Sequence, residues 1–156
     1  MRFLTVLTIF FVLVLNSQEL KIKANKFHTD EKTGISTFDG NVDITKGKDR
    51  IKASTLTIFV DKKHQPTKFI ATGGVTFSIT TKKKSVYTGR AGRMIYLPKK
   101  KEYLFFHNVN LKQIDEKKEI IGEEVVLKTI EGKAYAKGVK NKPVIMIFKL
   151  PDEEEE

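Results

Sequence analysis

Cysteine and tryptophan are both missing from this 156-residue chain. Without cysteine, disulfides and thiolate metal sites are excluded, so stability must come from a core or from partners. Three histidines, His28, His64 and His107, lie far apart with no HxH or HExxH spacing, and no metal centre is expected. There is no GxSxG, no P-loop and no GxGxxG after a strand. The pair Glu123-Glu124 is a nominal general acid and base, but adjacent strand residues point to opposite faces. We therefore expect no catalytic residues, no cofactor and no enzyme.

Helical periodicity is also scarce once the N-terminus is passed. Arg2 followed by the 13-residue apolar run Phe3 to Leu15 suits a signal peptide and falls short of the roughly 20 residues of a spanning helix. Residues 1–17 are read as that signal, with cleavage near Ser17, which sends the protein to the periplasm. What the chain has in abundance is positive charge, +10 overall. Setting aside the acidic tail Asp152 to Glu156 leaves 29 − 14 = +15. Such a balance favours anionic partners, and export favours a phosphate-bearing lipid or membrane surface over nucleic acid.

Between residues 18 and 150, short runs rich in Val, Ile, Phe, Tyr and Thr alternate with polar turns such as "DEKTG", "TKGKDR", "DKKHQP" and "TKKKS". This is an all-β pattern, with strands expected to span about six to eight residues. An internal repeat organises it. Val42 follows "FDGN", Val75 follows "ATGG" and Val109 follows "FFHN", at spacings of 33 and 34 residues, and a weaker "YAKGV" places Val139 a further 30 on. Ahead of each copy runs small-x-x-apolar-x-apolar, as "ANKFHT", "ASTLTI", "AGRMIY" and "GEEVVL". Four two-strand units, about eight strands, must stack to bury a shared face.

The side-chain period of two fixes which residues point inward. They are Phe38, Val42 and Ile44; Ala71, Val75, Phe77 and Ile79; Phe105, Val109 and Leu111. The partner strands add Phe27, Leu56, Ile58, Met94, Tyr96, Val125 and Leu127. By the same parity Gly40 and Gly73 face inward, with His107 in the third unit, and Asn41 faces out. Glycine inside a strand marks a bulge, a bend or a close approach. "TFDGNVDI" is thus a strand that bends at Gly40, and Gly40→Val is expected to do more harm than Asn41→Val. The runs Leu20 to Phe27 and Val144 to Leu150 come first and last, leaving sheet edges open to strand addition by another molecule.

The segments "FDGNVDITKGKDRIKASTLTI", "ATGGVTF" and "AGRMIYL…FFHNVNLKQ…IIGEEVVL" resemble the OstA-like family of periplasmic lipopolysaccharide-transport proteins over residues 20–150. The resemblance implies a V-shaped, open β-jelly-roll joined head to tail. It also implies a bridge between LptC-like inner-membrane and LptD-like outer-membrane proteins, with lipid A acyl chains held in an apolar groove. Carried over by position, Leu20 and Ile22 join the inward set as groove or neighbour contacts, as do Phe77 and Tyr96. The departures are "HN" for "GN" in the third unit, the acidic tail and the lysine-rich turns. Competing readings are an LptC-like protein that keeps its membrane anchor, a small eight-stranded outer-membrane barrel and a basic nucleic-acid module.

Overall fold

In a computed structural model the chain is described from residue 18 to residue 152. The expected signal peptide and the last four glutamates lie outside these residues. The elements are all strands: β1 Leu20–Lys23, β2 Lys26–Asp30, β3 Ile35–Lys46, β4 Asp49–Val60, β5 Pro66–Thr80, β6 Val86–Leu97, β7 Glu102–Gln113, β8 Lys118–Lys128, β9 Lys133–Lys137 and β10 Ile145–Phe148. No helix among them is long and apolar enough to cross a membrane.

Every pairing is antiparallel, and all but β1 with β3 and β8 with β10 join sequence neighbours, because short polar turns return the chain beside itself. Asp30 and Asp61 build two of these turns. The Asp30 carboxylate accepts the Lys32 amide at 2.9 Å, and that of Asp61 accepts the Lys63 and Gln65 amides at 2.8 and 3.0 Å. The Gln65 amide is foremost in holding the Asp61 carboxyl below its ordinary value.

The sheet order is β1-β3-β4-β5-β6-β7-β8-β10, with β2 on the remaining half of β3 and β9 on the remaining half of β8. Each outermost rung is therefore one broken strand. At the start, Ala24 and Asn25 interrupt what reads as a single strand from Leu20 to Phe27, and the Asn25 amide donates to the Gly40 carbonyl at 2.9 Å. The eight expected strands correspond to eight rungs made of ten segments. The six central strands run 11 to 15 residues rather than six to eight. Strands of this length would suit a membrane barrel, but the sheet is open: among the described residues β1 does not pair with β10.

The central strands owe their length to a crease that they cross without ending. Opposite each other across it, Phe38 to Val42 faces Leu56 to Ala53, so β3 has four steps where β4 has three. The same mismatch recurs with Ala71 to Val75 on β5 against Met94 to Ala91 on β6, and with Phe105 to Val109 on β7 against Val125 to Gly122 on β8. The extra residues sit in pairs of left-handed conformation: Gly40 and Asn41 at φ 82° and 47°, Gly73 and Gly74 at 81° and 61°, His107 and Asn108 at 68° and 50°. Aligned bulges bend a sheet in one line.

Two expectations are corrected at this crease and beside it. Gly40, Gly73 and the exposed His107 do not point inward; they bulge on the outside, where a Cβ on the two glycines would lie 2.7 Å from the Asn25 side-chain nitrogen and 2.5 Å from the Ser54 hydroxyl oxygen. Asn41 is also left-handed, so a β-branched residue is strained at both positions, and the close approach of Asn25 adds a clash at Gly40 alone. The fourth repeat also fails, since Val139 is 51% exposed in a turn bridged to Lys142. After Lys137 the chain leaves β8 and returns to it only at Ile145.

Folding along the crease lays one half of the sheet over the other. Val42, Leu56, Ala71, Val75, Ile79, Met94, Phe105, Val109, Leu111, Val125 and Leu127 are all at most 1% exposed in one core. Contacts between strands that are not neighbours bind the layers. Phe77 on β5 stacks on Phe105 on β7 at 4.1 Å between centroids. Gly89 on β6 makes this possible, since a Cβ there would meet the Phe77 ring at 2.9 Å.

Candidate functional site

The folded-over interior gathers most of the residues that parity placed inward. Ile44, Ile58 and Phe77 are buried along with the eleven just named; Ile22, Phe38 and Tyr96 are half-buried against them. Two residues depart from this. Phe27 faces the interior and touches Phe38 at 4.9 Å, yet is 60% exposed because β2 is an edge that no strand among the described residues covers. Leu20, at the other end of the same broken rung, is 40% exposed.

Parity also predicts further interior residues that the repeat alone missed. Ile51 and Ala53 precede Leu56 on β4, Phe69 precedes Ala71, Tyr103 precedes Phe105, and Tyr87 and Ala91 precede Met94; all are buried. Each lies two or four residues from another inward residue, except where the three-residue step of an even strand reverses the parity. The aromatic members join into a row. Phe69 meets Tyr96 at 5.9 Å, Tyr96 stacks on Tyr103 at 4.4 Å, and Tyr103 lies 6.1 Å from Phe105, which carries the row to Phe77.

Opposite the crease, the turns of the two layers meet at a mouth, and a polar clasp holds it. Asp49, only 8% exposed, accepts the Thr80 amide at 2.9 Å and the Tyr103 hydroxyl at 3.2 Å, bridging the layers. Burial, with the Asp49 charge beside it, pushes the Tyr103 hydroxyl far above its ordinary value. Lys46 stands 3.8 Å from Asp49 and donates to the Tyr96 hydroxyl at 3.2 Å. Further along, the Lys82 amide donates to the Thr129 carbonyl at 2.9 Å, and the Thr129 hydroxyl to the Lys101 carbonyl at 2.8 Å. Asp49 gave no signal in the sequence because Tyr103 is 54 residues away.

No buried side-chain nitrogen or oxygen among the described residues lacks a partner, so the interior has no polar group waiting for a ligand. Nor do those residues contain a cluster of three or more His, Asp or Glu able to hold a metal ion. Glu123 and Glu124 fall on the crease of β8, outside the core, with Glu123 3.5 Å from Lys142. The space inside is small: a cleft of about 40 Å³ among Ile44, Ile51, Met94 and Tyr103, room for a water molecule or so and not for an acyl chain. What this arrangement can do is hold apolar matter, provided the layers part.

At the two ends the rungs are unfinished. The outer edges of β1 and β2 at one end, and of β9 and β10 at the other, carry no further strand among the described residues. Ile145, Met146, Ile147 and Phe148 are all 43 to 54% exposed.

Residues 21–133 match the family described as LptA/(LptD N-terminal domain) LPS transport protein. No curated protein sequence matches the chain. Among solved structures, LptH from Pseudomonas aeruginosa, described as the LptA-homologous periplasmic component of the lipopolysaccharide transport device, is similar with a TM-score of 0.76. The identity is 18%, covering 85% of this chain and 96% of that one, a likeness of fold.

Proposed function

The chain belongs to the LptA/LptD N-terminal domain family of lipopolysaccharide transport proteins, and from that premise we propose that it carries lipopolysaccharide across the periplasm as a bridge between the two membranes. The observation that supports this most is the single apolar interior running through every rung and ending in two unfinished edges. Acyl chains cost about 0.8 kcal/mol per CH₂ in water, so a chain of about twelve carbons gains on the order of 10 kcal/mol from such a lining. That gain offsets the separation of the two layers.

The lipid-contacting residues in this reading are the interior set, with Val42, Phe77, Met94, Phe105, Val109 and Leu127 at its centre and Leu20, Ile22 and Phe27 at the first edge. Assembly is by strand addition: the exposed β10 edge of one copy meets the β1 and β2 edge of the next, and the terminal copies meet LptC-like and LptD-like proteins. Lysines outside the groove face the phosphorylated head group. No step makes or breaks a covalent bond.

A photo-crosslinking residue at Val42, Phe77 or Tyr96 in living cells should capture lipopolysaccharide, while outer-face controls should not. Capture by none of the three would overturn carriage in this interior. For assembly, light scattering of the wild type should show growth with concentration, and Ile22→Asp should abolish it. A wild-type protein that stays monomeric at all concentrations would remove the bridge.

A further inference from the structure

Outside the clasp, a depression of about 650 Å³ opens to solvent against Leu20, Lys46, Phe69 and Tyr96. The same four residues form the outer wall of the 40 Å³ cleft whose inner wall is Ile44, Ile51, Met94 and Tyr103. Solvent and core are thus separated here by one layer of side chains. The Lys46 ammonium bonded to the Tyr96 hydroxyl spans it. Elsewhere along the mouth the closure is made by backbone and by the buried Asp49 contacts.

The charge around this depression has one dominant sign. Lys46, Lys63, Lys99 and Lys101 border it, against the single carboxylate of Asp61, which Lys99 approaches at 3.8 Å. Lys63 and Lys101 make no ion pair within the described residues. Lys101 and Lys46 also border a second depression of about 450 Å³, joined there by Lys48 and Lys82. A cationic rim in front of an apolar throat fits a ligand with an anionic head and a hydrocarbon tail.

We propose that this is a lateral port, at which a phosphorylated lipid head group seats on Lys46 and Lys101 while its acyl chain passes between Lys46 and Tyr96 into the core. The proposal rests on the carriage reading above and adds where the lipid enters and what recognises it. Lys46 is the pivot because its hydrogen-bond acceptor is the neutral Tyr96 hydroxyl, with the Asp49 carboxylate farther off at 3.8 Å. A phosphate oxygen makes a charge-assisted bond roughly twice as strong, so head-group binding itself draws the ammonium off Tyr96. Asp49 keeps the Thr80 amide and Tyr103 hydroxyl throughout, so the gate can move while the clasp beside it holds.

Equilibrium binding and the uptake rate of lipid A, and of the same lipid stripped of its phosphates, with the purified protein test this. Lys46→Met should weaken the phosphorylated lipid by about tenfold and leave the stripped lipid within about twofold, with Lys46→Arg restoring binding. Tyr96→Phe, which removes the gate's acceptor and keeps the ring stack, should speed uptake of both lipids. Thermal melts of each variant identify loss of fold. Wild-type binding of both lipids with Lys46→Met and Tyr96→Phe unchanged overturns the port and leaves carriage standing; wild-type binding of neither overturns carriage. Inorganic phosphate at millimolar concentration should compete weakly. If it erases the difference between wild type and Lys46→Met, the site takes the free ion and the head-group assignment falls.

Discussion

Adding one methyl group at Gly73 and one at Gly74 separates the two demands that the crease makes on its residues. Both glycines are left-handed, at φ 81° and 61°. An alanine in that region costs about 1 kcal/mol of backbone strain. At Gly74 this is the whole cost, since a Cβ there meets nothing within 4 Å. At Gly73 the Cβ lands 2.5 Å from both the Cβ and the hydroxyl oxygen of Ser54, whose hydroxyl donates to the Gly73 carbonyl at 2.9 Å. Ser54 must turn away and give up that bond, adding about 1–3 kcal/mol of crowding. Gly73→Ala should therefore cost about 2–4 kcal/mol and Gly74→Ala about 1. At about 2–4 °C per kcal/mol for a chain of this size, thermal unfolding followed by far-UV circular dichroism should show Tm falling by roughly 4–16 °C and roughly 2–4 °C. Gly73→Ala/Ser54→Gly should recover much of the difference. Equal losses for the two single variants would refute a crease held by close packing of neighbouring strands.

Tyr103→Phe removes the hydroxyl that Asp49 accepts, and should cost about 1–3 kcal/mol near neutral pH because a buried carboxylate loses a partner. The pH profile adds a second readout. Burial raises the Tyr103 value in the fold above that of the unfolded chain, so the folded state retains a proton the unfolded state releases. That contribution is intact below the unfolded value of about 10 and is lost as pH climbs above it; urea melts should show a shallower alkaline loss in Tyr103→Phe than in wild type. Gly89→Ala would drive its Cβ into the Asn110 carbonyl and the Phe77 ring, so it should unfold at clearly lower urea than wild type. An unchanged midpoint would disprove the Phe77–Phe105 contact across β6.

Parity and the 33–34-residue repeat were enough to find the interior of three units, because Val42, Val75 and Val109 hold equivalent places at the crease and the apolar residues two apart follow from them. What the pattern could not convey is that two residues, not one, leave the strand at each crease. "GN", "GG" and "HN" share only a tolerance for left-handed backbone, which histidine and asparagine tolerate less well than glycine but better than branched residues. The clasp was hidden for a different reason. Asp49 reads as part of a polar turn, and its burial depends on Tyr103 arriving from the opposite layer. Val139 failed because the repeat continued in letters where the backbone had already turned away at Gly138.

The four-against-three step has a consequence for size. Because the excess residue lies on the odd strand of each pair, the bend is made afresh by every hairpin and does not depend on how many hairpins there are. Inserting or deleting one unit of about 34 residues would lengthen or shorten the trough by two strand spacings, roughly 9–10 Å, without changing its cross-section. Reach is thus set by counting hairpins within a chain, while the width of the trough stays constant.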